Sequence, residues 1–249
     1  MHWVLLRGLV RESRHWESFP AQLQSAFPNA TLHLLDLPGN GRLYQQNSLT
    51  SLKEMADCVS WQIEEKGLKE PVHVLALSLG GMIALEWMTR HPEQMASAVI
   101  INSSLRGISP FFDRLQWRVY PGLLLQLSGL QSDLQRERMI IKLTSHFCSD
   151  SNKLAVKWAE YARQNPTSRQ NALRQLIAAA RYRAPDRPPL KPLLLLSSEK
   201  DQIVKCQCSQ KMAAQWRCPI KVHSEAGHDL TLDDGAWVIR QVMDWHASL

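Results

Sequence analysis

Residues Val72–Met82 read Val-His-Val-Leu-Ala-Leu-Ser-Leu-Gly-Gly-Met, an apolar run that meets Ser78 and then, past a glycine pair, a helical pattern (Ile83, Ala84, Leu85, Trp87, Met88). This is the small-x-Ser-x-small arrangement of a nucleophile elbow. In that arrangement the serine sits on a sharp strand-to-helix turn, and small residues two positions away on either side let the backbones pack closely. Ala76 and Gly80 occupy those positions, so the usual first glycine is replaced by a residue one methyl larger. The turn also places Ser78 at a helix N-terminus, where unpaired N–H groups favour negative charge.

Working outward from the elbow, short apolar runs alternate with longer stretches of helical period. The pattern predicts an α/β fold, a mostly parallel central sheet of about six strands flanked by helices. Strands are expected at Trp3–Leu6, Thr31–Leu35, Val72–Leu77, Ala98–Ile101, Leu193–Ser197 and Ile220–Val222, and helices at Trp16–Phe27, Ser51–Lys66, Leu79–Arg90, Cys206–Gln215 and Gly235–Trp245. Ser51 and Glu54 have the spacing of a capping box. From residue 107 to 189 the alternation stops. Amphipathic stretches at Leu115–Leu127, Asp133–Phe147, Asn152–Asn165 and Ser168–Tyr182 carry no strand between them, which predicts a helical cap inserted in a core made of residues 1–106 and 190–249.

Composition sets the class. A chain of 249 residues with 45% apolar and 21% charged residues can bury one sizeable core. The start, Met1-His2-Trp3-Val4-Leu5-Leu6-Arg7, lacks a basic leader and is interrupted by Arg7, and no apolar run reaches membrane-spanning length, so a cytoplasmic location is expected. Five cysteines, an odd number with only Cys206 and Cys208 close together, read as reduced thiols. Cys206, Cys208, Cys218 and His223 lack metal-ligand spacing, so no metal is expected. The net charge is +6, yet residues 106–187 hold fourteen Arg and Lys against six Asp and Glu, which leaves the rest of the chain slightly acidic. The positive charge belongs to the cap. Its residues are scattered through amphipathic helices without a nucleic-acid-binding module and read as a solvated face, the alternative being recognition of an acidic carrier protein or an anionic substrate; nucleic acid is not expected.

A serine hydroxyl needs a base, and the base needs an orienting carboxylate. Asp201, in Ser-Ser-Glu-Lys-Asp-Gln-Ile-Val, follows an apolar strand, and His228, in Glu-Ala-Gly-His-Asp-Leu, follows the last one. Ser78, Asp201 and His228 therefore all fall on the carboxyl edge of the sheet, where open α/β folds bind ligands. Glu199 is two residues early for that role, and Asp233 and Asp234 read as the cap of the last helix. His223 at a strand end and His73 within a strand read as structural. An oxyanion hole needs two N–H groups aimed at one point; Leu79 supplies one, and the loop after the first strand supplies the other, with Leu9 the expected donor. Arg7 beside that loop is a candidate contact for an acidic part of a substrate, and Trp117 or Trp158 is a candidate wall of an apolar acyl pocket. No cofactor is expected.

The chain resembles the α/β-hydrolases over essentially its full length. The resemblance rests on Leu5-Leu6-Arg7-Gly8 followed by Arg14-His15-Trp16, on Asp36-Leu37-Pro38-Gly39-Asn40-Gly41-Arg42, on the Ser78 elbow, on Lys200-Asp201-Gln202-Ile203-Val204, and on Gly227-His228. Arg7 stands where the family usually has the histidine of a His-Gly pair. In size and in the Asp-Leu-Pro-Gly stretch the chain is similar to small-cap carboxylesterases that release a methyl ester from a pimeloyl chain on acyl carrier protein. The resemblance implies a serine hydrolase acting on a carboxylic ester or acyl thioester. The alternatives are a lyase or C–C hydrolase using the same triad, and a non-enzymatic binding protein of the same fold. Dehalogenase and epoxide-hydrolase chemistry is disfavoured, because those relatives carry aspartate where Ser78 stands.

Overall fold

Six strands form one all-parallel sheet: β1 (His2–Leu6), β2 (Thr31–Leu35), β3 (Val72–Leu77), β4 (Met95–Ile101), β5 (Leu193–Ser198) and β6 (Ile220–His223), in the order β2-β1-β3-β4-β5-β6. The computed structural model describes residues 1–185 and 187–249, the side chains of residues 126 and 127 excepted; Asp186, counted among the acids of the cap, lies outside the described residues. The strands predicted from sequence are all present and differ by at most three residues at an end. Central strands are buried on both faces, which is why they read as continuous apolar runs. Alternate residues serve opposite layers. Val4, Leu6, Val74, Ala76, Ile100 and Leu195 pack on one face with helices α2 (Leu52–Glu65), α3 (Leu79–Arg90) and α9 (Gln207–Trp216). Trp3, Leu5, Leu75, Leu77, Val99 and Leu196 pack on the other with α1 (Phe19–Ala26) and α10 (Leu230–His246). The chain leaves β1 toward β2 and returns to the other side of β1 as β3, so the strand order reverses there. The crevice at such a reversal is where doubly wound sheets bind ligands.

Between β4 and β5 lie α4 (Phe111–Arg114), α5 (Tyr120–Ser128), α6 (Asp133–Thr144), α7 (Ser151–Gln164) and α8 (Arg169–Arg181). A parallel bridge between Arg106 and Arg183 closes the segment at its base, with the Ala184 N–H donating to the Arg106 carbonyl at 2.8 Å. Helix α8 is locked to the core by buried amides. Gln175 donates to Asn40 Oδ1 (3.0 Å) and Ser48 Oγ (2.9 Å), while Asn171 accepts from Ser48 N (2.8 Å). Gly39, at φ +90°, permits that approach, since a Cβ there would come within 2.7 Å of Asn171 Nδ2. Among the described residues no helix is long and apolar enough to cross a membrane.

Three expected elements differ. The stretch Leu115–Leu127 is not one helix but a 3₁₀ turn at Trp117–Val119 followed by α5, which starts only at Tyr120 because Pro121 fits only the first turn of a helix. The first helix starts at Phe19, after a separate 3₁₀ turn (Ser13–Trp16) that ends with Glu17 at φ +52°. The last begins at Leu230 and is kinked at Asp234, whose Oδ1 accepts from Trp237 N at 2.8 Å and so caps the stretch predicted from Gly235. The Ser51–Glu54 capping box does not form: Ser51 occupies the N-cap, but its side chain makes no cap hydrogen bond. A full box forms instead at Ser132 and Gln135.

That contrast predicts opposite outcomes for two serine-to-alanine changes. S132A is expected to lower unfolding free energy by about 1 kcal/mol, whereas S51A is expected to leave it nearly unchanged; equal losses in urea titrations of the two variants would contradict this geometry.

Candidate active site

Strand β3 ends at Ser78, whose backbone sits at φ +56°, ψ −116°, a region that non-glycine residues rarely adopt. Such strain costs on the order of 1–3 kcal/mol and must be held by its surroundings. The Ser78 N–H donates to the Ile101 carbonyl at 2.8 Å, and the Ser78 carbonyl accepts from Gly81 N (2.9 Å) and Ser103 Oγ (2.9 Å). Gly80 lies against the end of β1: a Cβ there would meet the Leu6 carbonyl at 2.5 Å and the Arg7 carbonyl at 2.7 Å. Ala76 pairs with Leu6 across the sheet and is fully buried in the core layer. The extra methyl is absorbed there.

His228 Nδ1 lies 2.7 Å from Asp201 Oδ2, with both residues buried. The other Asp201 oxygen accepts from Ile203 N (2.7 Å) and Val204 N (3.0 Å), so the carboxylate is fixed by its own loop. A carboxylate on Nδ1 favours the tautomer that leaves Nε2 as the acceptor. Ser78 and His228 line one cavity, although among the described residues no hydrogen bond joins Ser78 Oγ to the imidazole. Such contacts tighten on substrate binding in many enzymes. At the start of α3 no acceptor is found for the Leu79 N–H among the described residues. In the loop after β1, Val10 N donates to Gln175 Oε1 at 2.9 Å, while no acceptor is found for Leu9 N among the described residues.

The residues proposed to meet substrate separate. Trp158 is buried and lines the cavity; its indole N–H donates to Glu17 at 2.8 Å. Trp117 is 71% exposed and does not line the cavity, because it sits on the outer side of a 3₁₀ turn whose Val119 faces inward. Arg7 lines the cavity, but its guanidinium forms a buried bidentate pair with Asp229 (3.1 and 2.5 Å) and stacks 4.8 Å from the Trp16 ring. Burial alone would raise the Asp229 carboxyl; the Arg7 charge and hydrogen bonds from Arg7 and Thr231 bring it below its ordinary value near 3.8. His223, read as structural, is held by Asp234 (3.3 Å) and by the N–H groups of Glu225 and Ala226. His73 bonds Ser97 Oγ at 2.8 Å, on strand β4. Asp233 does not cap the last helix. It accepts from Gly227 N (2.7 Å) and from His146 N and Phe147 N of the cap, tying the histidine loop to the cap. The five cysteines are free, and among the described residues no cluster of metal-ligand side chains exists.

Two positioning residues were not visible as such in the sequence. Asn102, at φ +46° after β4, donates to the carbonyls of His228 (2.9 Å) and Gly227 (3.3 Å) and to Ser198 Oγ (3.0 Å), and accepts from Ser198 N (2.9 Å). It thereby fastens the histidine loop to β4 and β5. Asp229 anchors the same loop to the oxyanion loop through Arg7. A polar residue at the carboxyl end of β4, and the second acidic residue in Gly-His-Asp, were the signals that could have found them.

The cavity itself measures about 340 Å³ and is walled by the elbow, the β1 loop and the cap, with Leu9, Leu123, Ile140, Leu143, Leu176 and Val204 among its apolar lining.

A family model described as "Alpha/beta hydrolase family" matches residues 3–241. Among solved structures, an esterase from Exiguobacterium antarcticum is similar at 16% identity and TM-score 0.80, covering 98% of this chain and 91% of the other. An esterase from a Rhodococcus species is similar at 16% identity and TM-score 0.79, covering 100% and 91%. A meta-cleavage product hydrolase is similar at 18% identity and TM-score 0.78, covering 100% and 92%. At these identities the likeness is one of fold.

Two predictions follow from the groups around His228. N102A leaves the Ser198 N–H and the His228 carbonyl without their partner in the interior, and is expected to cost about 1–3 kcal/mol, read by urea titration; an unchanged midpoint would count against the anchoring role. Because the folded Asp229 carboxyl titrates below its ordinary value, its stabilising contribution is full above pH 3.8 and is lost as pH falls below that. D229N is expected to be less stable by about 3–5 kcal/mol, because Arg7 is left buried without its counter-ion, and to show a shallower fall of stability with acid than the wild type. Parallel acid profiles would remove Asp229 as their source.

Proposed function

The chain belongs to the α/β-hydrolase family, and on that premise we propose that it is a serine hydrolase that cleaves a carboxylic ester or thioester through an acyl-enzyme. The observation that carries this reading is the buried His228–Asp201 pair at 2.7 Å, facing the cavity that the strained Ser78 also lines. Ser78 Oγ attacks the carbonyl carbon while His228 Nε2 takes the hydroxyl proton, and Asp201 stabilises the imidazolium through Nδ1–H. The carbonyl oxygen, now an oxyanion, accepts from the N–H groups of Leu79 and Leu9 at the positive end of α3. Collapse of the tetrahedral intermediate breaks the bond to the alcohol or thiol, which leaves with the proton from His228. Water then enters, gives its proton to the same nitrogen and attacks the acyl carbon, and Ser78 is released.

The apolar walls favour burial of a hydrocarbon acyl chain, at roughly 25 cal/mol per Å² of apolar area removed from water. S78A is expected to lower kcat toward a p-nitrophenyl ester by at least about 10³-fold and to abolish labelling by a fluorophosphonate. D201N, by releasing the histidine tautomer, is expected to lower kcat by about 10⁴-fold with the fold intact. Retention of turnover and of labelling in purified S78A would end this reading.

A further inference from the structure

The cavity holds one cation that the proposed chemistry does not use. Arg114, at the C-terminal end of α4, is 8% exposed and lines the same cavity as Ser78 and His228. One nitrogen donates to the Ala179 carbonyl of α8 at 2.7 Å, and no carboxylate pairs with the guanidinium among the described residues. Nε is buried without a hydrogen-bond partner, as is the hydroxyl of Ser104, which faces the same cavity. The neighbouring carboxylate, Asp113, is engaged by Lys205 (2.6 Å) and Lys211 (3.6 Å). Burial, and after it the like charge of Arg106, push the Arg114 pKa down from its ordinary value. A desolvated guanidinium without a counter-ion is unfavourable, and buried polar groups are nearly always paired.

The other cations of the cavity behave differently. Arg7 is matched by Asp229, and Arg11 by Glu137 at 2.7 Å. Each of those pairs is formally neutral, so Arg114 leaves one uncompensated positive charge on the cap side of an otherwise apolar chamber. One guanidinium with an unpaired Nε–H, in the same cavity as one unpaired hydroxyl, matches a monoanionic carboxylate better than a doubly charged phosphate, which calls for several cations or a nest of amides.

We propose that Arg114, assisted by the Ser104 hydroxyl, binds a carboxylate carried on the part of the substrate that fills the cap-covered cavity, so that the preferred substrates are esters of carboxylate-bearing acyl chains. This rests on the reading of the site as an ester hydrolase, and binding measured without turnover separates the two.

The test compares methyl half-esters of straight-chain dicarboxylic acids with methyl esters of monocarboxylic acids of the same length. The wild type is expected to prefer the half-esters at one chain length, and R114M to reduce the ratio of the two kcat/KM values by about ten- to hundredfold, mainly through KM. R114K, which keeps the charge without the fork, is expected to restore part of the ratio. Calorimetry with the free dicarboxylic acid, which cannot be hydrolysed, is expected to show binding to the wild type and none to R114M, whether or not any ester is turned over. An unchanged ratio in R114M, an equal loss on both ester series, which would mark a merely structural role through Ala179, or equal binding of the diacid by wild type and R114M overturns the proposal.

Discussion

The site is organised by a close contact between two backbones: the first turn of α3 lies so near the end of β1 that only a hydrogen atom fits between Gly80 and the carbonyls of Leu6 and Arg7. That approach puts the first turn of α3 beside the loop that follows β1, and it makes the two sides of the proposed oxyanion hole neighbours by construction. It also explains the tolerance at the other flank of the elbow. Ala76 lies within the β1–β3 ladder, where its Cβ points into a core layer with room for a methyl. Gly80 faces backbone, which cannot move aside. Of the two small positions in the motif, the second is therefore the strict one, and the departure from glycine sits at the permissive one.

Strain at Ser78 and burial of His228 both need compensation, and the chain supplies it with polar groups away from the reacting atoms. Asn102 adopts a left-handed backbone, which asparagine tolerates better than most residues, and from there bonds two strands and the histidine loop. Arg7 and Asp229 join the oxyanion loop to the residue next to His228. Asp233 joins Gly227 to the cap. The histidine loop is thus tied to the sheet and to the β1 loop through buried contacts, and to the cap through Asp233, whose hydrogen bonds to His146 N and Phe147 N are exposed. A buried ion pair adds little net stability over an apolar contact of equal volume; what it contributes here is a fixed geometry, because the contact is bidentate and Thr231 Oγ1 donates to the same Asp229 carboxylate at 3.0 Å.

The fold was legible because its signals are local and repeated. Continuous apolar runs such as Val72–Leu77 and Leu193–Ser198 can be buried on both faces only in a parallel sheet, and Ser78, Asp201 and His228 each follow a strand. What stayed hidden depends on contacts between segments far apart in the chain. Asn102 meets Gly227 and His228 across 125 and 126 positions, and its place at the carboxyl end of β4 is a local sign that does not name those partners. Ser51 shows the converse: the capping pattern was correct as chemistry, yet the side chain turned away from the helix end. Trp117 and Trp158 were equal candidates by composition, and only the direction of their helical turns separates them.

The charge of the cap illustrates how a total misleads. Residues 106–187 are strongly basic, which reads as a surface for an acidic partner. In the structure three of those fourteen cations are locally matched: Arg136 meets Asp133 and Glu137, Arg163 meets Glu160, and Lys157 meets Glu17 of the core. Exposed pairs of this kind contribute little to stability, but they shorten the range of the field, since each is close to neutral beyond a Debye length of about 8 Å. The position of a cation relative to carboxylates and to water therefore matters more than the number of cations. Arg7 and Arg114 share a residue type and a cavity. The first has its counter-ion built into the chain and holds the loop of His228; the second is desolvated with no carboxylate partner among the described residues, and on the proposal above the charge that balances it enters with the ligand.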